Sequence, residues 1–286
     1  MVAYVKKLLG VKKIGHAGTL DPFATGVLIC CINKATKIAR FFLHDEKKYL
    51  ATLQLGVETD TQDLTGTITS ICDSMDVSEK AIRSAFKQFE GMINQLPPVF
   101  SALKFKGVPL YRLARSGRPV QKPARPVFIS NNKILEINLP YIRFEITCSA
   151  GTYIRTLCAD IGARLGCGAH LRELKRIKSS GFTIDKAVSL KELEKLAFSG
   201  NMLGKRLLEK IISMADALHG IPGHVADESL TEKIKYGKII TKRDFMPKHL
   251  ENSAKFIKIV DNNNDLLAVL SYQKKNNKYG YCCVFS

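Results

Sequence analysis

The sequence has no tryptophan, no CxxC pair among its eight cysteines and no long apolar run. No stretch approaches the roughly 20 apolar residues that a transmembrane helix needs, and the N-terminus lacks a signal-peptide pattern. No His/Cys spacing resembles a zinc site. We therefore expect a cytoplasmic protein with free thiols, no membrane contact and no bound metal ion.

Acidic residues are scarce relative to basic ones. The chain has 26 Asp and Glu against 44 Lys and Arg, for a net charge of +18. Such an excess attracts polyanions and speeds their encounter, and each phosphate neutralised by a cation releases counterions. Nucleic acid is therefore the leading candidate partner. A lysine-rich surface without a partner would give the same total, so the charge alone leaves both interpretations open.

The length of 286 residues and the apolar fraction of 45% predict one large and one small domain. Periodicity and end signals predict helices at 2–9, 78–90, from 153 onward, 189–213 and 229–236. Alternation and short apolar runs predict strands at 27–32, 48–56, 67–71, 142–149, 255–260, 266–270 and 279–285. Residues 94–126 are punctuated by proline and glycine and predict a long, extended, functional loop.

An aspartate lies in a glycine-bearing loop near the N-terminus, at Gly15-His16-Ala17-Gly18-Thr19-Leu20-Asp21-Pro22. Pro22 pushes Asp21 towards an extended conformation, and the glycines permit a sharp turn and a close approach to a ligand. A carboxylate displayed on such a loop can act as a nucleophile or a base. The same residues also suit a tight turn in which Asp21 caps a backbone N–H, and these physical arguments alone favour the turn.

The full run GHAGTLDPFATGVL at 15–28 resembles the signature of the tRNA pseudouridine-55 synthase family. The resemblance extends to KKY at 47–49, GTYIRT at 151–156 and LGCGAHL at 165–171. It implies that Asp21 is the catalytic aspartate and that His16 lines the RNA-binding cleft near the flipped base.

Three further side chains acquire roles by the same resemblance. Tyr49 would stack on the target uracil, since every base offers a π-face; without the resemblance it reads as a half-buried strand tyrosine. Arg155 would pair with Asp21 through two parallel N–H groups of its guanidinium and keep the carboxylate ionised. The alternative for Arg155 is a weak salt bridge on the surface. Leu174 would form an apolar wall of the uracil pocket. His170 has no catalytic role in this interpretation.

Basic residues cluster without any acid at 103–126. In the family this region is a mobile thumb over the T-arm, and PPVFSALKFKG at 97–107 resembles it. We therefore expect a thumb-like loop at about 94–126 that contacts RNA phosphates. The candidate backbone contacts are Lys104, Lys106, Arg112 and Arg115. Asp60 and Asp63 have no further oxygen ligands in an EF-hand pattern, so they are interpreted as turn residues.

The resemblance implies isomerisation of uridine-55 in the tRNA T-loop to pseudouridine, with base flipping and without cofactor or metal. It implies an α+β pseudouridine-synthase fold over 1–220, with a central mixed sheet and a cleft. A small, β-rich, PUA-like RNA-binding domain would follow at 221–286. The expected partner is tRNA, bound by a monomer without an obligate protein partner. The alternatives are a non-catalytic tRNA-binding or folding chaperone, a subunit of an RNA-guided synthase, and a basic protein without an RNA role.

The sequence departs from the family at its start. The family normally has a strand and a Lys-Pro-containing turn before the helix predicted at 2–9, and here that segment is missing. Its loss is expected to expose a sheet edge and to weaken the support beneath the Asp21 loop. We predict that restoring the upstream segment raises the melting temperature. Equal melting temperatures for the two chains, measured by calorimetry, would contradict this prediction.

Overall fold

The computed structural model describes residues 1–198, 208–245 and 255–285. The chain divides into two compact units. The central unit comprises His16–Ile29 and Phe42–Ala187, and the terminal unit comprises Met1–Gly15, Cys30–Phe41 and Val188–Ser286. The domain boundary predicted at residue 220 stays a prediction. In the described ranges, no helix combines the length and the hydrophobicity needed to cross a membrane.

The described elements are mostly strands. The strands are, in chain order, Ile14–Ala17 (β1), Thr25–Gly26 (β2), Ile29–Ile32 (β3), Lys47–Leu55 (β4), Val57–Thr59 (β5), Ile68–Ile71 (β6), Gly91–Gln95 (β7), Lys104–Phe105 (β8), Val108–Pro109 (β9), Arg125–Asn138 (β10), Tyr141–Cys148 (β11), Ala169–Ser179 (β12), Phe182–Thr183 (β13), Gly223–Val225 (β14), Ile240–Thr241 (β15), Phe256–Val260 (β16), Leu266–Gln273 (β17) and Lys278–Val284 (β18). The α-helices are Val2–Leu8 (α1), Glu79–Gln88 (α2), Leu110–Arg115 (α3), Ile154–Leu165 (α4), Leu190–Phe198 (α5), Met214–Ala217 (α6) and Glu228–Lys235 (α7).

The central unit is built on a mixed sheet. Its strands run in the order β13-β12-β4-β11-β10-β7, all neighbours antiparallel, and β2 lies parallel to β12. The predicted α+β class with a mixed central sheet is therefore confirmed. The parallel pairing matters for function because β2 ends the loop that carries Asp21.

The core of the central unit forms where the alternating face of β11 meets the apolar stripe of α4. Both patterns were predicted from the sequence, and both are confirmed. The buried hydrophobic residues of these two elements are Ile142, Phe144, Ile146, Cys148, Ile154, Leu157, Cys158 and Ile161. Helix α2 adds Phe86, whose ring meets that of Phe144 edge to face at 5.2 Å. Burial of this apolar surface fixes the faces of β11 and α4.

The predicted helix ends depend on local side-chain and backbone chemistry. Ser78 caps α2 and accepts a hydrogen bond from the Ala81 amide at 3.2 Å. Helix α4 ends at Gly166, which adopts the left-handed conformation with φ of +78°. Both are common termination and capping devices. The Ser78 cap explains why the start of α2 follows from the sequence within one residue, whereas the end of α4 at Gly166 was not predicted.

Two regions contain more regular structure than the sequence predicted. The segment 94–126, predicted as an extended loop, contains the β8–β9 hairpin and the helix α3. Leu110 is fully buried, and its amide donates to the Leu103 carbonyl at 2.7 Å, so tertiary packing stabilises a helix too short to form alone. The loop at 15–28 likewise contains β1 and β2. Strands β10 and β12 were not predicted at all.

The terminal unit contains a five-stranded sheet in the order β14-β16-β17-β18-β15. The hairpin, the last strand and the helix predicted here correspond to β16–β17, β18 and α7, and are confirmed. The apolar core of this sheet includes Leu230, Ile257 and Leu270. Of the helix predicted at 189–213, α5 forms the first part, residues 199–207 lie outside the described residues, and residues 210–213 are not helical, so the predicted end was wrong.

Candidate active site

The loop between β1 and β2 presents Asp21. Gly18 and Gly26 adopt positive φ angles of +94° and +103°, and the Asp21 carbonyl accepts from the Ala24 amide at 3.0 Å. A Cβ at Gly26 would lie 2.1 Å from the Arg176 carbonyl oxygen. Only glycine therefore permits this approach, which is made to the protein's own strand β12 and not to a ligand. The loop leaves the Asp21 side chain 29% exposed.

The guanidinium of Arg155 makes a bidentate contact with the Asp21 carboxylate. Nε lies 3.1 Å from Oδ2, and Nη2 lies 3.2 Å from Oδ1. Arg155 opens α4, and its side chain is only 4% exposed. The pair is therefore not a weak surface salt bridge, because a bidentate, desolvated contact is both stronger and more directional.

Arg155 also binds two further segments of the central unit. Nη1 donates to the Thr61 carbonyl at 2.8 Å, and Nη2 donates to the Phe100 carbonyl at 2.9 Å. Thr61 lies in the turn between β5 and β6, and Phe100 lies at the base of the thumb-like segment. These additional bonds fix the plane of the guanidinium, so Asp21 meets a partner that is already oriented.

A second carboxylate lies behind Arg155. Asp63 is buried, and its Oδ2 is 3.5 Å from Arg155 Nη1. Its Oδ1 accepts from the Thr65 amide at 2.9 Å and from the hydroxyls of Thr61 and Thr65. Asp63 is therefore a turn residue, as the sequence predicted, but the sequence did not predict its contact with Arg155. Asp60 and Asp63 look alike in the sequence, and only burial distinguishes them.

Strand β12 brings Leu174 and Arg176 alongside β4. In the register of this pair, Leu174 faces Ala51 and Arg176 faces Tyr49. Leu174 is buried in the central core, against which Tyr49 packs. The pKa of Tyr49 is raised to about 12, mainly by burial and then by the neighbouring Cys148, with a smaller contribution from Asp21, while Arg176 opposes the shift. Tyr49 is therefore neutral at physiological pH and lies in the neighbourhood of Asp21.

The remaining candidates are exposed. His16 lies on β1, five residues before Asp21. The candidate thumb residues Lys104, Lys106, Arg112 and Arg115 are also exposed. Lys106 and Lys122 lie over the Phe105 ring, at 5.7 and 5.0 Å from its centroid. Cations interleaved with an aromatic ring suit contact with a nucleic acid.

Cysteine and acidic side chains do not create a metal centre in the described part of the chain. Across those residues, no group of three or more His, Cys, Asp or Glu side chains could hold a metal ion. The eight cysteines are all free thiols.

Family models account for most of the chain. The TruB family pseudouridylate synthase N-terminal domain matches residues 6–154, and the tRNA pseudouridylate synthase B C-terminal domain matches residues 155–218. This chain belongs to the TruB family. The resemblance seen in the sequence motifs is thereby confirmed. Both Asp21 and Arg155 lie within matched regions, on either side of the division between the two models.

Relatives in the TruB family are similar over most of the chain. The tRNA pseudouridine synthase B of Syntrophus aciditrophicus is 46% identical over 83% of this chain and 74% of its own. That of Clostridioides difficile is 38% identical over 97% of this chain and 91% of its own. Among solved structures, a Cbf5-Nop10-Gar1 complex matches with a TM-score of 0.72 and 27% identity, covering 95% of this chain and 73% of that chain.

The charges around Asp21 predict the pH dependence of this TruB-family site. Burial raises the pKa of Asp21 above its ordinary value, Arg155 lowers it, and Asp63 raises it. A reaction that needs the carboxylate loses rate when falling pH protonates Asp21. We therefore expect the acid limb of the rate profile to have its midpoint above about 3.9, the usual value for aspartate.

Asp63→Asn tests the cause of this shift. The substitution removes a charge that raises the Asp21 pKa, so the acid limb is expected to move to lower pH. Single-turnover rates from about pH 4 to about pH 8 would measure the acid limb of the parent chain and that of the variant. An acid limb that stays in place in Asp63→Asn, with folding intact, would show that another group controls the profile.

Proposed function

We propose that this chain converts uridine to pseudouridine in tRNA, and that its target is uridine-55 of the T-loop. The relatives named tRNA pseudouridine synthase B support the reaction, since they match most of this chain. The observation that carries the proposal is the bidentate contact of buried Arg155 with Asp21. No observation favours the non-catalytic alternative.

The reaction requires no net oxidation, hydrolysis or addition. The C1′–N1 bond of uridine breaks, the uracil turns, C5 bonds to C1′, and the C5 proton is lost while N1 gains one. Asp21 acts on the sugar or the base as nucleophile, or removes a sugar proton. Arg155 orients Asp21 and compensates its charge. We propose that Tyr49 stacks on the uracil, with Leu174 as an apolar wall of the pocket.

The target base is inside a folded loop, so it must leave its stack before it can reach Asp21. We propose that His16 lines the cleft near the extruded nucleotide and that the basic thumb contacts the T-arm backbone. The enzyme is proposed to act as a monomer without an obligate protein partner. Its location in the cytoplasm, and the RNA-binding role of residues 221–286, stay predictions.

A tritium-release assay tests the activity and its position together. The purified chain is incubated with a tRNA transcript tritiated at uracil C5, and with a matched transcript that carries cytidine at position 55. We expect release from the first transcript only, because isomerisation expels the C5 hydrogen. Equal release from both would place the target elsewhere. Tight binding without release from either would support the chaperone alternative.

The thumb contributes a separate prediction. Replacing Lys104 and Lys106 by alanine is expected to weaken tRNA binding and to reduce the slope of log K against log salt by about 1.5–2, if each lysine neutralises one phosphate. Lys80→Ala with Lys87→Ala removes the same charge from the exposed face of α2 and serves as the control. Filter binding at two salt concentrations measures the slope. The same slope change in both double variants would show a general charge effect.

A further inference from the structure

Strand β12 buries a cation that the chemistry described above does not use. Arg176 is 1% exposed. Its Nε donates to the Val27 carbonyl at 2.8 Å, and its Nη2 donates to the Gly18 carbonyl at 3.0 Å. Nη1 lies 3.4 Å from the Thr19 carbonyl. Among the ion pairs of the described residues, none includes Arg176.

The stability of the fold does not by itself explain why an arginine is buried at this position. Desolvating a cation is costly, and hydrophobic residues of similar volume often stabilise a buried position as well or better. A guanidinium does, however, present several donors in one rigid plane. It can therefore hold several carbonyls at fixed positions, which an apolar side chain cannot do.

The carbonyls that Arg176 holds bracket Asp21 along the chain. Gly18 and Thr19 precede Asp21, and Val27 follows it. The backbone of Arg176 reinforces the second attachment, because its carbonyl accepts from the Val27 amide at 2.8 Å. The missing side chain of Gly26 permits this approach. Both stems of the loop are thus attached to a single residue of β12.

The same residue faces the proposed stacking aromatic. Arg176 and Tyr49 are partners in the register of β12 and β4. We propose that Arg176 is a positioning residue that attaches the 18–27 loop to β12, so that Asp21 and Tyr49 meet one uridine at a fixed separation. This inference rests on the proposed function. Arg155 orients the carboxylate itself, whereas Arg176 places the backbone that carries it.

The test compares Arg176→Lys with the parent chain and with His170→Leu. Lysine keeps the charge but places its donors on one nitrogen, so it cannot span the Gly18 and Val27 carbonyls as the fork does. His170 is a matched control on β12, since it is buried and its Nδ1 lies 2.9 Å from the Val57 carbonyl, away from the loop. Folded fractions are measured first, and rates are expressed per folded molecule.

In Arg176→Lys we expect the single-turnover rate to fall about 100-fold, the loss that a displacement of about 1 Å can cause. tRNA affinity should stay within about twofold of the parent value, because this buried residue does not contact the RNA surface. His170→Leu should keep the parent rate. An Arg176→Lys rate within about threefold of the parent, or a similar fall in His170→Leu, would overturn the inference.

Hydrogen exchange provides a readout that does not need activity. The Ala24 amide donates to the Asp21 carbonyl within the loop, and the Val27 amide donates to the Arg176 carbonyl of β12. Arg176→Lys is expected to speed the exchange of these two amides, while the amides of β11 keep the exchange rate of the parent chain. Unchanged exchange at both amides would refute the inference, even if the parent chain proved inactive. A parent chain that releases no tritium would instead refute the proposed function, so the two failures are distinguishable.

Discussion

Asp21→Asn is expected to abolish pseudouridine formation while the protein stays folded. The amide has almost the shape of the carboxylate, but it is neither a useful nucleophile nor a base at this position. We expect tritium release to fall by roughly a thousandfold or more, with tRNA binding retained. A variant with near-parent activity would exclude Asp21 from the chemistry.

The thermal stability of Asp21→Asn has a predictable sign. Burial raises the pKa of Asp21 in the folded chain, so the folded state binds the proton more tightly than the unfolded state does. The ionised form is therefore disfavoured by folding at pH values above the folded pKa. Removing the charge should leave the melting temperature at neutral pH unchanged or slightly higher, as measured by calorimetry.

Asp160→Asn provides the matched control. Burial also raises the pKa of Asp160, which lies on α4, but its side chain does not belong to the group that Arg155 binds. The control variant loses the same charge from a similarly desolvated carboxylate. It should keep the parent rate. Loss of activity in both variants would indicate a general effect of charge on the fold.

Arg155→Met is expected to remove both activity and stability. It leaves Asp63 buried with the cationic partner gone, and breaking a buried ion pair in this way costs about 3–5 kcal/mol. Asp21 also loses its fork, so the carboxylate becomes free to rotate. We expect activity to fall at least about 100-fold and the denaturation midpoint to drop clearly in urea.

A double variant separates these two effects. Asp63→Asn added to Arg155→Met neutralises the isolated charge, while an amide oxygen can still accept from the Thr65 amide as Asp63 does. We expect the double variant to recover most of the lost stability and none of the lost activity. Recovery of activity along with stability would mean that Arg155 acts only on folding. Lack of stability recovery would mean that the buried charge is not the cause.

Arg155 and Asp63 also show where sequence reasoning reaches its limit. The motif GTYIRT identified Arg155, and the resemblance to the family implied its pair with Asp21. Its burial was not predicted, since a position off the apolar stripe normally faces solvent. Here that position faces the turn at 59–66 and the thumb base, which bury it through contacts about 94 and 55 residues away in sequence. Only the folded chain brings these segments together.

Local patterns in the sequence determined α2, α4, β4, β11 and the hairpin of the terminal unit, because periodicity and end signals depend on near neighbours. The motifs likewise identified the loop of Asp21 and the family. The tertiary structure alone decided the central role of β12. This strand is rich in charge and was not predicted from the sequence. In the structure it pairs with β4 beside Tyr49 and carries the buried Leu174. It also holds the loop of Asp21 through the hydrogen bonds of Arg176. The physical reason is that pairing with β4 and β2 fixes a strand by long-range hydrogen bonds, which leave no local periodicity in its sequence.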